Sequence, residues 1–456
     1  MKTFRIGGVH PHDNKLSAGM QITPVELPKQ AAVPLAQHIG APAKPIVSKG
    51  DKVLVGQLIA EPGGFMSAGV HAPVSGTVSK IDTIIDAWGM PMPAIIIDVE
   101  GDQWLDTIDR SPEINRICKL DSKAIIKKIA DAGIVGLGGA CFPTHVKLSP
   151  PPGNKAECLI VNAVECEPFL TCDHQLMLQH GEEIFIGITL LMKALNIETA
   201  YIGIEDNKRD AIEYFQKLAT HFFGIQVVPL KLRYPQGGEK QLIDSVIRRQ
   251  VPSGALPIAT GAVVQNVATV FAVYEAVQKN KPLIDRVMTV TGPSVKKPGN
   301  YLVRFGTPLS QVIEVAGGIP ESTGKIIAGG PMMGRAVANV DMPAHKRTSG
   351  LLLLPENISH RRTPQNCMRC GKCIEACPMG LEPYLLSRLA DMKMWDDMEK
   401  HNVMDCIECG CCLFTCPSNR PLLDYIRMGK ATVGGILRAR ATAARAAAEA
   451  EKNANK

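Results

Sequence analysis

Between Cys367 and Pro417 one spacing occurs twice, C-x-x-C-x-x-C-x-x-x-C-P, as CMRCGKCIEACP and CIECGCCLFTCP. Three thiolates so spaced wrap three irons of one cubane, and the fourth swings away to close the neighbouring cluster. The spacing predicts two 4Fe-4S clusters. Cys367, Cys370, Cys373 and Cys416 are expected to hold one, and Cys406, Cys409, Cys412 and Cys377 the other. Structural zinc uses paired C-x-x-C knuckles closed by four ligands, with no third Cys at the next step. Gly371 and Gly410 let backbone N–H groups approach the sulfurs, and Pro378 and Pro417 end the loops. Cys411 has no place in the pattern and reads as a bystander thiol.

A chain of 456 residues is too long for a lone cluster domain. At about 100–200 residues per domain, three or four domains are expected. With 45% hydrophobic and 21% charged residues, it can bury a substantial core. Fourteen Cys, eight of them in cluster spacing, argue for a reducing compartment, since oxidised thiols cannot ligate iron. The start, MKTFRIGGVHPHDNK, has no apolar h-region, so cytoplasmic placement is expected. A formal charge of +6 gives little warrant for nucleic-acid binding and suits an acidic protein partner. The uncharged window Ser253–Tyr274 contains Pro257, Gly261, Gln265 and Asn266 and reads as a buried loop entering a helix, so no transmembrane segment is expected.

The clusters must be positioned by what precedes them. Residues 1–22 form an N-terminal segment. From about Thr23 to Val99 the chain reads as short strands broken by Gly and Pro. VSKGDKVLVGQLIAEPGGF followed by HAPVSGTVSKID resembles a biotinyl or lipoyl carrier fold, which implies a barrel-sandwich hybrid over 23–110. The hairpin Gly63–Gly69 lacks the carrier Lys, so the resemblance implies the fold without carrier chemistry, as in a docking module. From about Asp121 helices and strands alternate. Ser122 is the expected N-cap of a helix carrying Ile125, Ile126 and Ile129, and Gly133 is its stop. CLIVN, TAYIGI and IQVVPL are strand-type runs, with helices near His174–Ala194 and Lys208–Phe222. This pattern predicts a mainly parallel sheet whose ligands sit at the carboxyl ends of its strands.

Four loops in this region carry polar groups suited to a nucleotide. GIVGLGGACFPTHVK offers Gly136, Gly138 and Gly139, whose N–H groups suit phosphate, although a tight turn explains a glycine run equally well. VNAVECEPFLTCD places Asn162, Glu165 and Glu167 past a strand end. YPQGGEKQL carries Glu239 and Lys240, and VVQNVATV carries Gln265 and Asn266, amides that need partners in an apolar run. Together these loops resemble the NADH-binding flavoprotein subunit of respiratory complex I. Its pattern G-x-G-G-A-G-F-P-T-x-x-K matches Gly136, Gly138, Gly139, Ala140, Phe142, Pro143, Thr144 and Lys147. N-x-D-E-x-E-P matches Asn162, Glu165, Glu167 and Pro168, and N-N-V-x-T matches Gln265, Asn266, Val267 and Thr269. The resemblance implies a Rossmann-type domain over 111–284. It implies FMN over the glycine loop, held by Asn162, Glu165 and Asn266, and NADH near Phe142, with Lys147, Glu167 and Glu239 around its ribose or phosphates. Cys141, Val164 and Gln265 depart from the pattern, and Val164 removes one expected flavin hydrogen bond.

Residues 285–350 return to strands around an amphipathic turn near Leu309–Ala316 and resemble the β-grasp ligand-binding module of the same complex I flavoprotein. Residues 351–430 form the α-helical two-cluster ferredoxin domain, with EPYLLSRLADMKMWDDMEKH helical between the cysteine runs. The Ala-rich tail, 431–456, with Arg438, Arg440, Arg445, Glu449 and Glu451, has no apolar stripe past Leu437 and reads as a solvated helix. The expected fold is thus multidomain, α/β plus β. In this order the modules resemble the RnfC family of the Rnf ion-translocating oxidoreductase complexes. That resemblance implies electron transfer between NAD(H), FMN, the clusters and ferredoxin or an iron–sulfur partner subunit. It also implies a peripheral place on the cytoplasmic side of the cell membrane, among subunits that move sodium or protons. A cobalamin-reducing flavoprotein and a cluster scaffold with a degenerate nucleotide site are the alternatives.

Overall fold

The three strand-type runs extend as Cys158–Asn162, Ala200–Glu205 and Ile225–Leu230, and a fourth strand, Ala262–Asn266, joins them. All four are parallel, in the spatial order Ile225–Leu230, Ala200–Glu205, Cys158–Asn162, Ala262–Asn266. Near-continuous apolar side chains allow burial on both faces, as a parallel sheet between helices requires. Ile160 and Val264 lie in one core, with Leu230 and Leu242, and Leu159 and Val161 lie in another, with Phe185, Leu191 and Val270. The computed structural model describes residues 1–87 and 89–454.

The first helix of this module, Ser122–Asp131, is capped by Asp121, whose carboxylate accepts from the Ala124 N–H at 2.8 Å. The expected cap, Ser122, instead donates its hydroxyl to the Ala194 carbonyl at 2.6 Å. Asp121 is the residue with extended backbone, and that geometry decides which of two adjacent capping residues caps. The window Ser253–Tyr274 resolves into a 3-10 turn, the fourth strand and the start of helix Val267–Gln278. Among the described residues no helix is long and apolar enough to cross a membrane.

Two small sheets, one of Gln30–Pro34, Pro91–Val99, Gly76–Ile85 and Lys52–Val53 and the other of Lys44–Pro45, Leu58–Glu61 and Val70–His71, enclose Val33, Ile59, Val78, Ile95 and Ile97. This is the expected sandwich. Its Lys-free hairpin reaches the nucleotide module, where the His145 ring bonds the Phe65 carbonyl at 3.1 Å.

The β-grasp sheet is larger than its expected span. Asp285–Thr291, Gly299–Arg304 and Thr323–Ala328 are joined by Ile22–Pro24 at one edge and by Gly350–Pro355 inside the sheet. Gly350–Pro355 pairs in parallel with Asp285–Thr291 and antiparallel with Thr323–Ala328. The four leucines 351–354, expected to open the cluster domain, are instead core strand, because a run apolar on both faces needs cover on both.

In the cluster domain, helices Pro383–Asp391 and Trp395–Lys400 pack against one long helix, Leu422–Ala454, which runs on into the Ala-rich tail. Val433 is buried and Leu437 partly so, and residues 438–448 are exposed. Arg440 alone ties this stretch back, to Glu399 at 2.8 Å and Asp396 at 3.1 Å. The side chains of Glu449 and Glu451 lie outside the described residues.

The N-terminal segment straps the modules together. Lys2 pairs with Leu230, Val9 with Tyr234, and the Gly8 N–H donates to the Ala376 carbonyl at 2.9 Å. Gly7 has φ +68°, and a Cβ there would fall 2.4 Å from the Cys377 carbonyl. Gly7→Ala is expected to cost about 1–3 kcal/mol, read as a lower denaturation midpoint. Gly19→Ala, at φ +77° with nothing within 4 Å, should show only the smaller backbone part.

Candidate functional site

In the four-stranded sheet the chain order reverses between Cys158–Asn162 and Ala262–Asn266. A crevice opens at such a switch point, at the carboxyl ends of the strands. Asn162 and Asn266 are the last residues of these two strands and are register partners, so the structure brings the two expected amides side by side.

The glycine loop lies over this point. It is closed by the Gly136 N–H on the Phe142 carbonyl at 2.9 Å and anchored by the Leu137 N–H on the Thr269 hydroxyl at 2.8 Å. Gly138, Gly139 and Ala140 form its exposed tip. A Cβ on Gly138 would fall 2.8 Å from the Asn266 amide, whereas Gly139 meets nothing within 4 Å. Glycine is thus needed at one position for close packing, and at the next it leaves backbone open to a ligand. Phe142 is half-buried beside it.

The Asn266 side chain does two jobs. Its oxygen caps helix Val267–Gln278, and its NH2 donates to the Asp173 carboxylate at 2.7 Å. Asn162 donates to the Gly237 carbonyl at 2.8 Å. Gln265 is buried with no partner for its NH2, an orphaned donor at the switch point. Lys147 and Glu239, on different elements, meet at 2.7 Å, and Lys147 also donates to the Val264 carbonyl. With exposed loop N–H groups, a helix N-terminus and an orphaned amide, the cleft fits a planar group bearing an anionic phosphate.

Three expected ligands have other work. Glu165 accepts from the N–H groups of Asp173 and His174 at the start of helix Cys172–Gln179. Glu167 accepts from Met332 and Met333 N–H groups at 3.1 and 2.7 Å and faces the Tyr234 hydroxyl at 3.3 Å. Lys240 faces Asp405 of the cluster domain at 3.5 Å, away from Lys147. Val164 is core, packed with Leu230 and Leu242, so its side chain does not reach the cleft. Sequence reasoning missed Asp173, a carboxyl that burial first, and then Glu165, push up to about 7. It also missed Lys15, which donates to the carbonyls of Glu165, Glu167 and Leu170. A carboxylate in the first turn of a helix that follows an acidic loop was the available signal for Asp173.

The two cysteine runs fold alike. Arg369 and Glu408, each just before a second Cys, both have φ +56°, and Gly371 and Gly410 follow at +77° and +80°. Thiols from the two runs come together across the sequence. Cys377, Cys406, Cys409 and Cys412 line one cavity, with Leu381, Leu386, Leu423 and Ile426 as apolar walls. Cys373 lies within the electrostatic reach of Cys416 and Cys367. Burial pushes the Cys406 thiol up to about 11. Burial likewise raises Cys377 and Cys412, whereas a hydrogen bond from Cys411 lowers Cys409. Buried thiols gathered in an apolar cavity ionise together only around compensating positive charge, so the donor set fits a cluster. Cys411 borders the same cavity, its S–H directed to Cys409 and its sulfur 3.9 Å from the Tyr234 carbonyl.

Known protein families match this architecture module by module. The Nuo51 FMN-binding domain model matches residues 129–275, the RnfC barrel sandwich hybrid domain 2–102, the SLBB domain 287–336 and the 4Fe-4S dicluster domain 359–417. The molecule is therefore a modular redox protein with an FMN-binding and a dicluster domain. Among curated proteins, the C subunit of the proton-translocating ferredoxin:NAD+ oxidoreductase complex of Clostridium ljungdahlii is 46% identical, covering 94% of this chain and 93% of that one. The C subunit of the Na+-translocating complex of Acetobacterium woodii is 45% identical over 94% and 96%. The C subunit of the Rhodobacter capsulatus ion-translocating oxidoreductase complex is 40% identical over 94% and 83%. The chain belongs to the RnfC family of the Rnf ion-translocating oxidoreductase complexes.

Glu205, at the carboxyl end of its strand, is buried with one oxygen unpartnered, and that burial raises its carboxyl from 4.5 to about 7. A carboxyl whose folded value is raised binds its proton more tightly when folded, so the contribution of Glu205 to stability is most favourable below about pH 4.5 and falls as pH rises to about 7. Glu205→Gln should flatten that part of the stability–pH curve and gain on the order of 3 kcal/mol at pH 8, measured by denaturant unfolding across pH.

Proposed function

We propose that this chain is the peripheral electron-transfer subunit, on the cytoplasmic face of the cell membrane, of a complex that couples NAD:ferredoxin oxidoreduction to Na+ or H+ transport. Its partners are the other subunits of that complex and ferredoxin or an iron–sulfur protein. Cytoplasmic placement is supported by the reduced thiols that ligation needs.

One observation carries the reading: a single loop joins the two redox sites. The loop begins at Asn162 in the cleft and ends at Glu167, whose carboxylate faces the Tyr234 hydroxyl. Tyr234 in turn donates to the Cys409 carbonyl at 2.8 Å. The nucleotide cleft and the second thiol set thus share one wall.

In this reading Gly136, Gly138 and Gly139 present backbone N–H groups to phosphate, and Gln265 supplies its free NH2 to FMN. Asn162 and Asn266 hold the loop and helix termini around the cofactor. Phe142 offers a flat face to NAD(H), and Lys147, paired with Glu239, a positive charge near its phosphates. Asp173 orients the Asn266 amide. Glu165 and Glu167 act as positioning residues, fixing the helix and the loop that frame the cleft. Bound FMN supplies the exchange between a two-electron hydride and the single electrons that clusters carry. Cys367, Cys370, Cys373 and Cys416 ligate one 4Fe-4S cluster, and Cys406, Cys409, Cys412 and Cys377 ligate the other. Apolar walls keep water from the second.

Anaerobically purified chain should carry about eight irons, retain FMN and bleach in the visible on adding NADH. Cys370→Ala and Cys409→Ala should each abolish the EPR signal of one cluster while flavin bleaching persists. Zinc or no metal would refute the ligand sets, and iron without flavin retention or NADH-dependent bleaching would leave a cluster scaffold.

A further inference from the structure

The two thiol sets differ sharply in exposure. Cys409 and Cys412 are buried, and other modules contact the backbone around their cavity. Tyr234 lies on the Cys409 carbonyl, Gln241 donates to the Pro378 carbonyl at 3.1 Å, and the strap residue Gly7 presses on the Cys377 carbonyl. Cys367 and Cys370 are exposed, within a stretch, residues 361–370, that is exposed throughout.

The rim of that open set has a defined chemistry. Met368, between Cys367 and Cys370, is 65% exposed, Phe414, two residues before Cys416, 53%, and Ile374, beside Cys373, 37%. Arg362, Arg369 and Lys372 are exposed in the same stretch of chain, and among the described residues none of the three forms an ion pair. Arg361, next to them, is held by Asp424. Glu375 is the acidic residue in this stretch, so its balance is basic. Exposed apolar side chains and unpaired cations in the chain that carries the exposed thiols suit an acidic protein that brings its own redox centre close.

We propose that the Cys367–Cys370–Cys373–Cys416 set is the outward port of this chain, and that its basic, apolar rim docks an acidic iron–sulfur protein. The proposal rests on the cluster assignment above and adds a polarity: the second set faces the nucleotide cleft and the first faces the partner. One electron crosses per encounter. Two reduced partner clusters are oxidised as one NAD+ takes two electrons and one proton to become NADH, and the reverse flow uses the same port.

The test uses the full chain, anaerobically purified, and an acidic 2[4Fe-4S] ferredoxin as probe. Iron content and NADH-dependent bleaching are measured first, then electron exchange with the probe by stopped flow across ionic strength. The wild-type rate should fall as salt rises. Arg362→Glu with Lys372→Glu should keep both the iron and the NADH bleaching, yet exchange about 10-fold or more slowly at low salt, with the difference closing at high salt. Arg362→Glu alone, outside the cysteine run, should show a smaller drop in the same direction. A wild-type rate indifferent to salt, or charge-reversed chains that exchange as fast as wild type, would overturn the docking surface while leaving the cluster assignment intact. A wild-type chain without iron would overturn both.

Discussion

The arrangement depends on the contact at Tyr234. Its hydroxyl donates to the Cys409 carbonyl and faces Glu167, while its backbone pairs with Val9 of the strap. Burial first pushes the Glu167 carboxyl up to about 7. The backbone N–H groups of Met332 and Met333 make that burial tolerable. Three modules and the strap therefore converge on one side chain. An electron-transfer protein needs its centres close and their separation fixed, and a fully satisfied polar contact in an apolar surround fixes it better than apolar packing alone.

Local chemistry was legible in the sequence wherever spacing alone dictates it. Thiols three residues apart in C-x-x-C can share a metal only if the loop curls, and Arg369 and Glu408 curl with the same positive φ. Strand runs such as CLIVN state their burial directly, and that placed Asn162 at a carboxyl end. What the sequence could not state was which partner a polar group finds. Glu165 and Glu167 look alike two residues apart, yet one caps a helix and the other crosses to Met333. Long-range pairing was hidden for the same reason. Gly350–Pro355 adjoins the cluster domain in sequence, but its partners are Asp285–Thr291 and Thr323–Ala328.

Two C subunits of nearly equal identity to this chain, 46% and 45%, belong to complexes named for different ions. Overall similarity of this chain to the two therefore does not separate the ions in those names.

The strap has a consequence for how the molecule is made. Lys2 closes on Leu230, Ile22 on Asn300 and Gly8 on Ala376, so this segment emerges from the ribosome long before its partners exist. The sandwich can close on itself during synthesis, while the strap finds its partners in stages, at Leu230 and Tyr234, then Asn300 and last Ala376. Its docking is thus completed only once Cys377, whose carbonyl Gly7 meets, has been made.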